Sequence, residues 1–318
     1  MTTLTPPPVL SAGDAISIIA PAGPINPDAL ERAVAILHAR GLRTKTYRDL
    51  TSRYKYLAGT DRDRAAEFNA AIHDPETKAI LPVRGGYGVV RILEHLDLGA
   101  LANTPKLLCG FSDITALHTS INRHAGVATI HGPNLQDGIG HVDGLDEWVA
   151  SYYWNALMGE PCTTPPMAAE MPRPHFMHSG SASGPLVGGN LAVFTGLIGT
   201  PYLPNTSGAI LLLEDVGEEA YRIDRLLSQC RLAGLFSELA GVVLGQFTAN
   251  PNEEPIDDER LSELFEECFA PLGIPVLANY PVGHIRCNLP VPLGTRVELS
   301  ETAGLMIPNR PDVPLVSS

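Results

Sequence analysis

A serine stands where an apolar run gives way to a helical one, in Leu107-Leu-Cys-Gly-Phe-Ser112-Asp-Ile-Thr. At a tight strand-to-helix turn a serine presents its hydroxyl above the carboxyl edge of a sheet. The next amide, on Asp113, then lies at a helix N-terminus, ready for an oxyanion. The same residues also suit an ordinary N-cap, and the second glycine of the hydrolase G-x-S-x-G pattern is missing. A second window, Val83-Arg84-Gly85-Gly86-Tyr87-Gly88, likewise follows an apolar strand. Its glycines permit positive φ and a close approach of backbone amides to a ligand; a plain tight βα turn is the competing reading. It fits neither the phosphate-loop nor the dinucleotide spacing. At the same sheet edge as Ser112 the loop would supply a second oxyanion donor.

A nucleophilic serine needs a base, and the base needs an orienting carboxylate. Of the ten histidines, His284 sits in Tyr280-Pro-Val-Gly-His284-Ile-Arg286, between strand-like segments. Catalytic groups concentrate in such loops, although a lone loop histidine is often simply solvated. His118 and His124 lie on the helix leading away from Ser112, and the His175/His178 pair lacks partners for a metal site. Glu214 ends the most apolar strand of the chain, Ala209-Ile-Leu-Leu-Leu213. A charge there must be solvated at a cleft or paired, a salt bridge to Arg222 or Arg225 being the alternative.

The chain that carries these groups has 318 residues, 44% of them apolar and 18% charged, with a formal charge of −13. Its length suits two domains with a sizeable core. An acidic chain without a basic run cannot supply counterion release, so nucleic acid and anionic membrane are excluded as partners. The first residues show neither a basic nor an apolar leader pattern, and no apolar stretch approaches the roughly 20 residues of a membrane span. The five cysteines form no C-x-x-C pair. The expectations are a reducing, cytoplasmic compartment and neither metal nor cofactor.

Alternating patterns imply parallel βαβ units in the first half. Strands are expected at 15–20, 43–47, 79–83 and 106–110, with helices from Pro27 to Gly41 and near 62–73, 89–96 and 114–123. Prolines 161, 165, 166, 172 and 174 crowd a stretch without periodicity, which reads as a linker over 159–183 between domains at 1–158 and 184–318. The second domain opens on a glycine-rich turn at 184–190. Helix 191–198, strand 209–213, a helix through Ile223, Leu227 and Cys230, strand 241–244, helix 259–269 and strand 295–299 follow.

Taken together, Arg84-Gly-Gly-Tyr-Gly88, Gly110-Phe-Ser112-Asp-Ile-Thr, Leu213-Glu214-Asp-Val-Gly-Glu with Tyr221-Arg-Ile-Asp-Arg225, and Gly283-His284 resemble the LD-carboxypeptidase family of serine peptidases. That family includes murein tetrapeptide carboxypeptidases and the related microcin C immunity hydrolases. Ile18-Ile-Ala-Pro-Ala-Gly-Pro24 and Ile130-His-Gly-Pro133 extend the likeness over nearly the whole chain. The resemblance implies an N-terminal doubly wound, glutamine-amidotransferase-like α/β domain bearing the serine, and a smaller strand-rich α/β domain bearing the other two groups. It implies a triad of Ser112, Glu214 and His284, an oxyanion hole from the amides of Asp113 and Gly86, a homodimer, and no metal.

The leading expectation is a serine carboxypeptidase of peptidoglycan recycling that releases terminal D-Ala from murein tetrapeptide. The −13 chain then requires a local cation for the substrate's carboxylate, and Arg84 and Arg286 are the candidates nearest the cleft. The alternatives are a microcin-type hydrolase, which needs an aromatic platform for the base that Trp148 and Trp154, equally suited to a core, do not decide, and a non-catalytic small-molecule binder.

Overall fold

Short apolar strands that must bury both faces dictate a layered α/β structure. The computed structural model describes residues 4–162, 171–250, 256–308 and 315. Strands β1 (Ala15–Ile19), β2 (Arg43–Lys45), β3 (Thr77–Pro82), β4 (Leu107–Gly110) and β5 (Thr129–His131) alternate with helices α1 (Pro27–Ala39), α2 (Asp61–His73), α3 (Ala100–Asn103) and α4 (Thr115–His124). The five strands pair in parallel, in the order β5-β4-β3-β1-β2. Successive residues of β1 feed opposite cores: Ile16 and Ile18 pack with α1, whereas Ile19 joins Phe68 and Ile72 of α2. Pro27 starts α1 and Asn26 caps it, its side chain accepting from the amides of Asp28 and Ala29.

Helix α5 (Glu147–Met158) leads to a second sheet built from β6 (His175–His178), β7 (Ala182–Asn190), β8 (Ile210–Val216), β9 (Gly241–Thr248) and β10 (Val276–Ala278), with α6 (Leu191–Thr195), α7 (Ala220–Leu232) and α8 (Asp258–Phe269) between them. Strand β11 (Val291–Leu293) precedes β12 (Arg296–Ser300) and β13 (Gly304–Met306). The second sheet runs β13-β12-β7-β8-β9-β10-β6 and mixes parallel with antiparallel pairs. Strand β11 instead pairs antiparallel with β5 and becomes the outer strand of the first sheet. The chain from β10 to β11 therefore crosses from one sheet to the other, and His284 rides on that crossing.

Three local expectations differ from the structure. Residues 184–190 are not a turn but most of β7, a nine-residue strand between β12 and β8. The glycines serve close approach: a Cβ on Gly188 would lie 2.0 Å from Leu212 O, and one on Gly189 would lie 2.5 Å from Thr115 Oγ1. Within the span read as a linker, His175–His178 is an edge strand held by backbone pairing to β10, which side-chain patterning does not report; residues 163–170 of that span lie outside the described residues. The helix expected near 89–96 is two 3₁₀ turns, Val89–Arg91 and Leu93–His95. It begins on β-branched Val89-Val90, straight after Gly88 at φ +125°, a poor start for an α-helix. No helix among the described residues is long and apolar enough to cross a membrane.

Candidate active site

Strand β4 ends at Gly110, and the chain turns at once into a 3₁₀ turn, Ser112–Ile114, that runs on as α4. Ser112 holds φ +65°, a left-handed conformation that costs a non-glycine residue of order 1–3 kcal/mol. Surrounding bonds enforce it. Asn134 Oδ1 accepts the Phe111 amide at 3.2 Å, and the Asp113 carboxylate accepts the Val89 amide at 2.9 Å. The capping alternative fails, because Phe111 is the N-cap and the turn has no side-chain cap bond. The serine hydroxyl is thus left over for other work.

The Asp113 bond ties the glycine loop to the serine turn. A Cβ on Gly85 would fall 2.8 Å from Ser112 Cβ and 3.0 Å from its Oγ, so the loop touches the serine through Gly85. Gly86, the sequence candidate for an oxyanion amide, is next along, exposed at φ +113°. Burial pushes the Asp113 carboxyl up to about 6. The far end of the loop is held by Arg64, which is completely buried and donates to Pro21 O and to Gly88 O.

Glu214 lies in β8, fully buried, and does not pair with Arg222 or Arg225. Its Oε2 accepts from His284 Nδ1 at 2.8 Å. Arg222 faces Glu218 at 3.8 Å, and both arginines lie over Tyr221. Two glycines make room for the carboxylate: a Cβ on Gly283 would sit 2.9 Å from Glu214 Oε2, and one on Gly245 would sit 3.1 Å from Glu214 Cβ. With its Nδ1 proton committed to Glu214, the imidazole keeps the Nε2 lone pair free to accept a proton. Burial lowers the His284 pKa, but the charge and hydrogen bond of Glu214, with Asp215 and Asp137 nearby, outweigh it, and the net shift is upward from 6.5. The Phe111 ring, one residue before Ser112, lies against this imidazole with centroids 4.8 Å apart.

Behind Phe111 stand two fully buried histidines. His118 Nε2 contacts Gly110 O at 2.8 Å, and burial pushes it down to about 4. His131 is driven well below 6.5 by the same cause. Both stay uncharged near neutrality, and the wall behind the serine is electrically quiet.

The two arginines singled out from sequence fare differently. Arg286 is exposed and donates to Gly144 O at 2.7 Å. The Arg84 side chain runs past Gly23 in the loop after β1, where a Cβ would meet Arg84 Nε at 3.2 Å, and past Gly86. It enters no ion pair among the described residues. Across from it is Asp137, whose carboxylate feels both Arg84 and His284. Sequence reasoning missed Asp137, Asn134 and Arg64; the one local hint was that Asn134 directly follows the quoted Ile130-His-Gly-Pro133. Among the described residues no group of three or more His, Cys, Asp or Glu could hold a metal ion.

Known proteins share this arrangement of two domains. The chain is 35% identical over 297 residues to a probable murein peptide carboxypeptidase of Bacillus subtilis, covering 92% of this chain and 91% of that one. Among solved structures, the muramoyltetrapeptide carboxypeptidase of Oxalobacter formigenes superposes with a TM-score of 0.77 at 29% identity, covering 92% of this chain and 97% of that one. An MccF-like protein of Bacillus anthracis superposes with a TM-score of 0.83 at 25% identity, covering 95% and 98%. Residues 16–132 match the LD-carboxypeptidase N-terminal domain and residues 183–299 the LD-carboxypeptidase C-terminal domain, and the chain accordingly belongs to the LD-carboxypeptidase family.

Proposed function

We propose that this enzyme is a serine carboxypeptidase that cleaves the amide between the L-centre of a diamino acid and the terminal D-Ala of a murein tetrapeptide. The observation that carries the reading is the 2.8 Å bond from His284 Nδ1 to the buried Glu214, with the imidazole against the ring of Phe111, the residue before a serine held at φ +65°. Ser112 attacks the carbonyl while His284 Nε2 takes its proton, and Glu214 steadies the imidazolium. The amides of Asp113 and Gly86 receive the oxyanion. His284 then protonates the leaving amine, D-Ala departs, and water hydrolyses the acyl-enzyme by the same route.

Purified protein incubated with murein tetrapeptide is expected to yield tripeptide and D-Ala by mass spectrometry; intact tetrapeptide after prolonged incubation would reject the reading. The second reading, hydrolysis of a microcin-type aminoacyl adenylate, is favoured by the likeness to the MccF-like structure. Trp148 and Trp154 are 3% and 5% exposed and packed in the core, so neither is the aromatic platform such a substrate would need. The same incubation with an acyl-sulfamoyl adenosine compares the two substrates directly.

The cytoplasm is the proposed compartment and peptidoglycan recycling the proposed role; all five cysteines are free, as a reducing environment favours. The proposed assembly is a homodimer, to be measured by light scattering. The proposed domain division remains 1–158 and 184–318, with β11 returning to the first sheet.

Of the two candidate anchors for the terminal carboxylate, Arg84 is the better supported, because the Arg286 guanidinium is already engaged with Gly144 O. Arg84→Ala is expected to lower kcat/KM by about ten- to a hundredfold and to erase the preference for free-acid over C-terminally amidated substrate. Arg286→Ala is expected to keep that preference. The reverse outcome would transfer the role to Arg286.

A further inference from the structure

The loop that follows β5 is held from three directions. The amides of Leu135 and Gln136 donate to Pro82 O and Val83 O, at the end of β3, at 3.2 and 2.8 Å. Gln136 Oε1 accepts the Asn26 amide at 2.9 Å, at the start of α1. Arg32 Nε donates to Gly140 O at 3.0 Å. These bonds fix the backbone on both sides of Asp137 and set it beside Arg84, the next residue after Val83. Asp137 is therefore preorganised at the carboxyl edge of the first sheet, on the side where Ser112 and the crossing segment with His284 meet.

The surroundings of Asp137 make it unusual. Asp137 is exposed, and partial desolvation by the neighbouring protein moves its pKa upward. The cationic groups around it are Arg84, His284 and His141, with Gln136 as a hydrogen-bond partner. None of them forms an ion pair with it among the described residues. A carboxylate fixed on a braced loop without a paired cation is left to bind one from solution, and a ligand that brings the cation gains a charge-assisted contact there. Arg84 nearby is equally unpaired. Among the described residues the enzyme thus presents one unpaired anion and one unpaired cation at the sheet edge that carries the serine.

We infer that Asp137 is a specificity-determining residue that receives the free side-chain ammonium of the diamino acid on the acyl side of the scissile bond. This rests on the carboxypeptidase reading above. The two free charges divide the work: Arg84 takes the terminal carboxylate beyond the scissile bond, and Asp137 takes the amine of the residue before it. In a chain of charge −13 many carboxylates attract cations at long range, but a carboxylate whose loop is fixed beside Arg84 selects one by direct contact.

The test compares the tetrapeptide bearing a free side-chain amine with the same peptide acetylated there, which removes the charge. Wild-type kcat/KM is expected to favour the free amine by about tenfold or more. Asp137→Asn is expected to shrink that ratio to within about threefold, through loss on the free amine, and Asp137→Glu to restore part of it. A ratio unchanged in Asp137→Asn overturns the assignment. So does an equal loss on both peptides together with a shifted pH profile, which would make Asp137 a positioning residue acting through the field at His284. Wild-type enzyme that cleaves both peptides equally well rejects Asp137 alone. Wild-type enzyme that cleaves neither rejects the carboxypeptidase reading and this assignment with it.

Discussion

Ser112→Ala is expected to lower kcat/KM on murein tetrapeptide by at least about a thousandfold, with a change in Tm of no more than about 2 °C. The first half follows from chemistry: without Oγ no acyl-enzyme forms, and what remains is water attack helped by the oxyanion amides. The second half follows from the turn itself. The Ser112 side chain caps nothing, and the bonds that hold the turn come from Asn134 to Phe111 and from Asp113 to Val89. Alanine inherits the same left-handed backbone and the same strain, so that cost cancels between the two proteins. Stopped-flow assays with a chromogenic ester analogue, alongside calorimetry, separate the two quantities. An alanine variant with wild-type kcat would remove Ser112 from the mechanism.

What the residue pattern conveyed about this site, and what it left out, divides along a physical line. Ser112 and Glu214 were legible because each is tied to an element boundary that hydrophobic patterning reports: an apolar strand breaking into a helix, and a charge ending a run of five apolar residues. His284 was legible as a loop histidine, and its pairing with Glu214 came from the family resemblance, since 70 residues separate the two. Asp137 and Asn134 were not legible. Their positions depend on a loop held by bonds to β3 and α1, and apart from Asn134 following Ile130-His-Gly-Pro133 nothing in their own neighbourhood marks them. The same limit explains β11. Val291–Leu293 reads as another strand of the tail, and only pairing with β5 shows that it leaves its own sheet for the other. The glycines of β7 misled for the opposite reason: their small size serves contact with Leu212 and Thr115, and Gly-Gly read locally is a turn signal.

The buried carboxylate offers the sharpest test of how the two domains cooperate. Glu214→Gln is expected to lower kcat by about ten thousandfold. The amide keeps the shape of the side chain between Gly245 and Gly283, so loss of activity is separated from loss of packing. What it loses is the charge. An imidazole whose Nδ1 proton is no longer held by an anion is free to take the other tautomer, and its protonated form in the transition state loses its counterion. The pH profile carries an independent signature. In the wild-type protein the net shift of His284 is upward from 6.5, burial being outweighed chiefly by Glu214. The base must be neutral to accept the serine proton, so the acid limb of kcat/KM is expected to titrate above 6.5. Removing the Glu214 charge takes away the chief upward pull against burial, so the limb is expected to move to lower pH. A purely structural role would lower Tm and activity together and leave the limb where it was. A glutamine variant with unchanged pH dependence and a rate within about tenfold of wild type would dismiss Glu214 as the orienting group, and with it the idea that the second domain completes a site begun by the first.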